Sequence, residues 1–329
     1  MKRLLLPLAS PARHPSPLLL LLLGVVLVGC STTTLSTGAA LGNAGKAAAS
    51  AMQQAALVSP VEVQRLMVSD AFLQGIYKDP VPAAIKKRHD DIAKIQKELA
   101  NRAAVLSNLA SAYDAMASLS VYDASGSYNT ALTGLAGSVS TYLKGAGLPP
   151  LAANVSPLVS QVAGLIAGAI QKQMIRDASA GIMPKLAAVI AAMEKYQTAF
   201  VGFKEIVESQ GGDAANVLYG SGLFSALPVL NAIGTPYGYT AIANADRMLA
   251  TPKYRAFRAG LAAVQAEQSS QQSALISTAF DQSLSVLRKL QSQHAALAND
   301  QPIDLAGLAT DLSALQTTIN QLVTALALK

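Results

Sequence analysis

Along most of this chain apolar residues recur at intervals of three and four, the repeat of a helix face. Alternation at an interval of two, the mark of a half-buried strand, is not sustained anywhere. Near the terminus Leu305, Leu308, Leu312, Leu315, Ile319, Leu322 and Leu326 are spaced 3, 4, 3, 4, 3, 4, an unbroken a/d seam. Ile92, Ile95, Leu99, Leu106, Leu109, Tyr113 and Met116 keep the same register, with Arg102 at the one polar position. Each seam predicts a helix packed lengthwise on another, within the chain or with a partner. The intramolecular packing is expected, because intermolecular coiled coils sustain heptads over longer stretches.

Punctuation supports the same class. A capping residue followed by proline marks helix starts at Ser59-Pro60, Asp79-Pro80, Ser156-Pro157 and Thr251-Pro252, with Glu62 completing a capping box at the first. Gly145, Gly181 and Gly211-Gly212 mark stops, and a cap near Asp300 opens the last helix. From Pro252 to about Ala298 no strong terminator occurs, which predicts one helix of roughly 70 Å. Gln265, Gln268, Gln271 and Gln272 interrupt its apolar stripe, as on an exposed face or at a break. The predicted fold is all-α: an elongated antiparallel helical bundle with long helices and coiled-coil-like packing.

The amino-terminal segment is different. Lys2, Arg3 and Arg13 precede an uninterrupted apolar run from Leu18 to Val28, the layout of a secretory signal. The run is shorter than the roughly 20 residues a bilayer span needs. It ends in Leu27-Val28-Gly29-Cys30, which holds the single cysteine of the chain. This segment resembles the lipobox of bacterial lipoproteins. The resemblance implies cleavage between Gly29 and Cys30, a diacylglycerol on the Cys30 thiol and an acyl chain, typically palmitate, on the new amine. Several chains hold a protein on a membrane where one gives only marginal binding. The resemblance also implies a cell-envelope location, and Ser31 in place of aspartate after the cysteine favours the outer membrane in a Gram-negative host.

Residues 1–29 are therefore read as the signal peptide. Residues 30–58 are read as the lipidated amino terminus and a flexible tether, since Ser31 to Gly45 is Ser, Thr, Gly and Ala with almost no charge. Residues 59–329 are read as the helical-bundle domain. An alkylated lone thiol leaves no disulfide, so stability rests on packing.

Charge changes the picture little. The formal net charge of +6 falls to +3 once Lys2, Arg3 and Arg13 leave with the signal, too small an excess to suggest nucleic acid. Lys86-Lys87-Arg88, followed by Asp90 and Asp91, reads as a solvated helix face. His89 and His294 show no metal-ligand spacing and read as surface helix residues. Gly42-Asn43-Ala44-Gly45-Lys46 lacks the first glycine of a phosphate loop, at Ala40, and its hydroxyl, at Ala47. Gly220-Ser221-Gly222 has Tyr219 where a nucleophile elbow has glycine. No catalytic residue, metal or non-covalent cofactor is assigned, and the expected function is not enzymatic.

Two segments, 124–171 and 214–245, are nearly free of charge; Lys144 is the exception. The first contains Gly164-Leu165-Ile166-Ala167-Gly168, a spacing that lets helices approach closely. The second, with Leu223, Phe224, Pro228 and Gly234 to Tyr239, has the residues of an irregular apex that caps the bundle or lines a small-molecule pocket. These features suit a lipid-anchored scaffold or protein-interaction module, engaging an envelope protein or a second copy. The layout of long helices around an apolar, glycine-bearing segment is also similar to α-helical pore-forming toxins, which implies membrane insertion as the alternative. A small-molecule-binding bundle or an enzyme ranks below both.

Overall fold

The computed structural model describes residues 34–76, 82–121, 124–151, 158, 168–220, 231 and 255–327. Among them are six helices and no strand: α1 (Thr34–Ile76), α2 (Pro82–Ser118), α3 (Ser125–Gly145), α4 (Gly168–Gly220), α5 (Arg255–Ala298) and α6 (Leu305–Ala327). The all-α class follows from the dominance of the three-and-four repeat. The most extensive pairings are α1 with α2 and α4 with α5, and α1 also lies against α4, α5 and α6. One apolar core joins all six helices, from Leu41 and Met52 on α1 to Leu315 and Ile319 on α6.

Helix α1 overturns the tether expected over residues 30–58. The chain is helical from Thr34, and Leu41, Ala48, Met52, Ala55 and Ala56 are buried in the core. The start expected at Ser59-Pro60 falls inside this helix. Composition misleads here because small residues serve two ends: they loosen a solvated linker, and they let two helix backbones meet. A Cβ on Gly42 would lie 2.8 Å from the Ala117 amide nitrogen, and one on Gly45 would run into the Tyr113 ring. Alanine, the strongest helix former, fills much of the remainder.

Two expected stops are also not stops. Gly181 and Gly211-Gly212 lie inside α4, which continues through Pro184 as well. At Gly181 the missing side chain admits Leu132 and Tyr128 of α3 instead of ending the helix. The Pro80, Pro157 and Pro252 starts lie outside the described residues, as does nearly all of the Gly164 to Gly168 stretch; the helices nearest those prolines begin at Pro82, Gly168 and Arg255.

Gly145 does end α3. Gly147 follows at φ +69, its N–H donating to the Lys144 carbonyl at 3.2 Å while the Leu148 N–H reaches the Leu143 carbonyl at 2.9 Å. This is the paired closure of a left-handed helix cap. A Cβ on Gly147 would meet nothing within 4 Å, so the only cost of Gly147→Ala is the left-handed backbone itself. We expect that variant to lose about 1–2 kcal/mol in urea denaturation; an unchanged midpoint would mean that the turn has another conformation.

The α5–α6 turn closes the same way, with Asp300 in the left-handed position at φ 57 and the Gln301 N–H on the Ala296 carbonyl at 2.8 Å. Arg176 of α4 pairs with Asp300 across this turn. The cap of α6 is Asp304 rather than a residue near Asp300: its Oδ1 accepts from the Gly307 N–H at 2.8 Å. Gln293 of α5 in turn accepts from the Asp304 N–H, and Lys289 reaches Asp304 and Asp311. The start of α6 is thus fixed to α5 by side chains as well as by the chain.

Candidate functional site

Gly29 and Cys30 lie outside the described residues, and α1 begins only four positions after the cysteine. Along the carboxy-terminal seam Leu308, Leu312, Leu315, Ile319 and Leu322 are buried within this single chain, Leu305 is half-buried, and the Leu326 side chain lies outside the described residues. In the α2 seam Leu99, Leu106, Leu109, Tyr113 and Met116 are buried and Ile95 half-buried. Arg102, at its polar position, is buried too.

The interior holds two polar clusters. The first brings together Tyr113 of α2, Ser179 of α4 and His294 of α5, all without solvent exposure. His294 Nδ1 lies 3.1 Å from Ser179 Oγ and Nε2 lies 3.0 Å from the Tyr113 hydroxyl, with the two rings stacked at 5.4 Å. One ring nitrogen donates and the other accepts, so hydroxyls on both sides satisfy a neutral imidazole. Burial lowers the His294 pKa from 6.5 to about 3 and pushes the Tyr113 phenol well above its ordinary value. Next to Ser179, the Tyr128 hydroxyl donates to the Ala178 carbonyl at 2.6 Å, tying α3 to α4.

His294 is therefore a core residue and not the surface residue its isolation suggests. A signal was present: Leu287, Leu290, His294 and Leu297 keep a 3, 4, 3 register, which puts the imidazole on the apolar face. A serine within reach of a histidine nitrogen has the geometry of an activated nucleophile. Here both are sealed in the core, and their chemistry is that of a clamp between three helices.

The second cluster gathers Glu98 and Arg102 of α2, Tyr142 of α3, Tyr196 of α4 and Phe280 of α5. The Arg102 guanidinium carbon stands 5.0 Å above the Phe280 ring, and Tyr142 stacks on Tyr196 at 5.3 Å. Burial pulls the Arg102 pKa below its ordinary value and pushes Tyr142 up to about 12. Tyr196 is raised by burial, then by its hydrogen bond to the Glu98 carboxylate and the charge of that group. Arg102 Nε is buried without a hydrogen-bond partner, while the half-buried Glu98 carboxylate and Tyr196 hydroxyl face each other.

Other expected features are placed as follows. Gly42 to Lys46 is a helix-packing surface, and Lys46 pairs with Asp114 at 2.7 Å. Gln272 is buried and donates to the Ala325 carbonyl at 3.0 Å, while Gln271 donates to Glu267; the Gln265 side chain lies outside the described residues. The Lys86-Lys87-Arg88 and His89 side chains lie outside them too, and Asp90 is exposed. In the charge-poor first segment, α3 buries Tyr128, Leu132, Leu135 and Val139 and exposes Ser127, Thr130, Thr133 and Thr141. Of the second segment only the end of α4 and Asn231 are described. Among the described residues no helix is long and apolar enough to cross a membrane, and no group of three or more His, Cys, Asp or Glu is placed to hold a metal ion.

No family model, curated protein or solved structure matches this chain.

Proposed function

We propose that this chain is a lipid-anchored cell-envelope lipoprotein whose helical domain, an elongated antiparallel bundle with coiled-coil-like packing, acts as a scaffold or protein-interaction module. The observation that carries this reading is Leu27-Val28-Gly29-Cys30 at the end of a short apolar run. Cleavage after Gly29 makes Cys30 the first residue, carrying a diacylglycerol thioether and an acylated amine. Only Ser31, Thr32 and Thr33 then separate the lipidated residue from α1, a reach of about 10 Å at most. The helical body is held directly against the membrane surface, where it meets an envelope protein or a second copy. Ser31 after the cysteine assigns it to the outer membrane in a Gram-negative host. The function uses no catalytic group, resident metal or nucleic acid.

Two measurements on cells test the anchor. Wild-type protein takes up labelled palmitate and sediments with membranes, whereas Cys30→Ala takes up none and is released. Wild-type protein that incorporates no label would end the lipoprotein reading.

A further inference from the structure

We propose that the bundle stands end-on on the lipid surface, with the α2–α3 turn and its exposed Val121 as the point of contact. That placement rests on the Cys30 lipid anchor proposed above and adds which face of the fold meets the bilayer. Several helix ends gather around the start of α1. Gly42 of α1 lies against Ala117 at the close of α2, and Gly38 lies against Ile175 in the first turns of α4. Tyr128 in the first turn of α3 donates to the Ala178 carbonyl of α4, and Arg176 pairs with Asp300 in the α5–α6 turn. The start of α1, the α2–α3 turn, the first turns of α4 and the α5–α6 turn therefore form one end of the bundle. Helix α1 packs on α2, α4, α5 and α6, and Thr37, Gly38, Leu41 and Gly42 are already buried in its first two turns. What it leaves exposed there is a narrow polar strip, Ser36, Asn43 and Lys46, with no apolar side chain to lay on lipid. The chain back to Cys30 reaches about 10 Å, no more than one helix diameter, so the lipid enters the membrane beside this end.

The surface of the end suits that contact. Val121 is 78% exposed, and the turn that carries it is closed by its own N–H on the Ser118 carbonyl at 3.0 Å and by the Ser120 hydroxyl donating to the Ala117 carbonyl at 2.6 Å. Among the described residues the other exposed large apolar side chain is Val323, eighteen residues beyond Leu305 on α6 and so about 27 Å from this end. Charges at the end balance among the described residues, Lys172 and Arg176 against Asp177 and Asp300, so the contact is apolar and calls for no anionic lipid. Tethering makes the second contact intramolecular, and one apolar side chain is enough to orient a body that the acyl chains already hold. Helix α1 has 43 residues, about 65 Å, so its Ile76 end points away from the bilayer. The flanks and the far end are then the surfaces left for an envelope protein or a second copy.

The chain has no tryptophan, so Val121→Trp and Val323→Trp each carry a single indole. Both valines are exposed, and neither change disturbs the core. Mature protein, residues 30–329, is anchored on phosphatidylcholine vesicles with brominated acyl chains by coupling its one thiol, Cys30, to a maleimide phospholipid, so the result does not depend on how cells process Cys30. Val121→Trp should enter the interface by about 5–10 Å and be quenched at least twofold more than Val323→Trp. Equal quenching of the two, or stronger quenching of Val323→Trp, would overturn the end-on placement even for a protein that cells do lipidate. Absence of palmitate label in cells is a separate result that would remove the anchor and the placement with it.

Discussion

Leu312→Ala combined with Leu315→Ala should produce the largest loss of stability of any conservative change on α6. Leu315 is completely buried and Leu312 nearly so, both inside the single chain. Truncating a leucine in a packed interior costs about 2–5 kcal/mol, because apolar contact is lost and the cavity collapses only in part. The two side chains are neighbours on one helix face, so their costs are not strictly additive. Against a total stability of about 5–15 kcal/mol for a typical protein, the pair should lower the melting temperature by on the order of 10 °C or more. Val323, 47% exposed on the same helix, supplies the control: Val323→Ala should stay within about 0.5 kcal/mol of wild type. Thermal circular dichroism of all three proteins decides the matter. An unchanged melting point with altered self-association would make the seam a partner-binding surface instead.

That seam was readable in advance because leucine at a strict 3, 4 spacing has one physical use, burial along a helix. The long α5 was readable for a related reason, since nothing between Arg255 and Ala298 strongly opposes helix. The amino-terminal part of the fold was not. Gly38, Gly42 and Gly45 look like a loosened chain until Ile175 and Tyr113 are seen pressed against them, and those neighbours are distant in sequence. Local start and stop signals failed for the same reason: at Ser59-Pro60 and Gly181 the helix carries on although the local signal favours an end. The first polar cluster needs Tyr113, Ser179 and His294 from three helices, and no spacing within one segment announces that meeting. Arg102 was visible as the odd residue of its seam, but Phe280, Tyr142 and Tyr196 around it were not. The lipobox, in contrast, is a purely local signal and is legible only in the sequence, since Cys30 lies outside the described residues.

Acid should destabilise the protein through His294. With a pKa of about 3 in the folded chain against 6.5 when exposed, the buried imidazole stays neutral over a range in which the unfolded chain takes up a proton. Stability falls wherever the unfolded state binds more protons, so the loss begins as pH drops through 6.5 and levels off near 3. Above 6.5 both states are neutral and the group contributes no pH dependence. Between pH 7 and pH 4 the expected loss from this one residue is about 3 kcal/mol, a large part of a typical total. His294→Gln offers Ser179 and Tyr113 a donor and an acceptor without a titrating group. It should be less stable than wild type at pH 7, by about 1–2 kcal/mol for imperfect packing and geometry, yet lose less stability on acidification, so that the two stability curves converge between pH 6 and pH 4. Urea denaturation at half-unit pH steps measures both curves. Parallel curves over that range would show that the imidazole is charged or hydrated in the folded chain, and the clamp between α2, α4 and α5 would have to be redrawn.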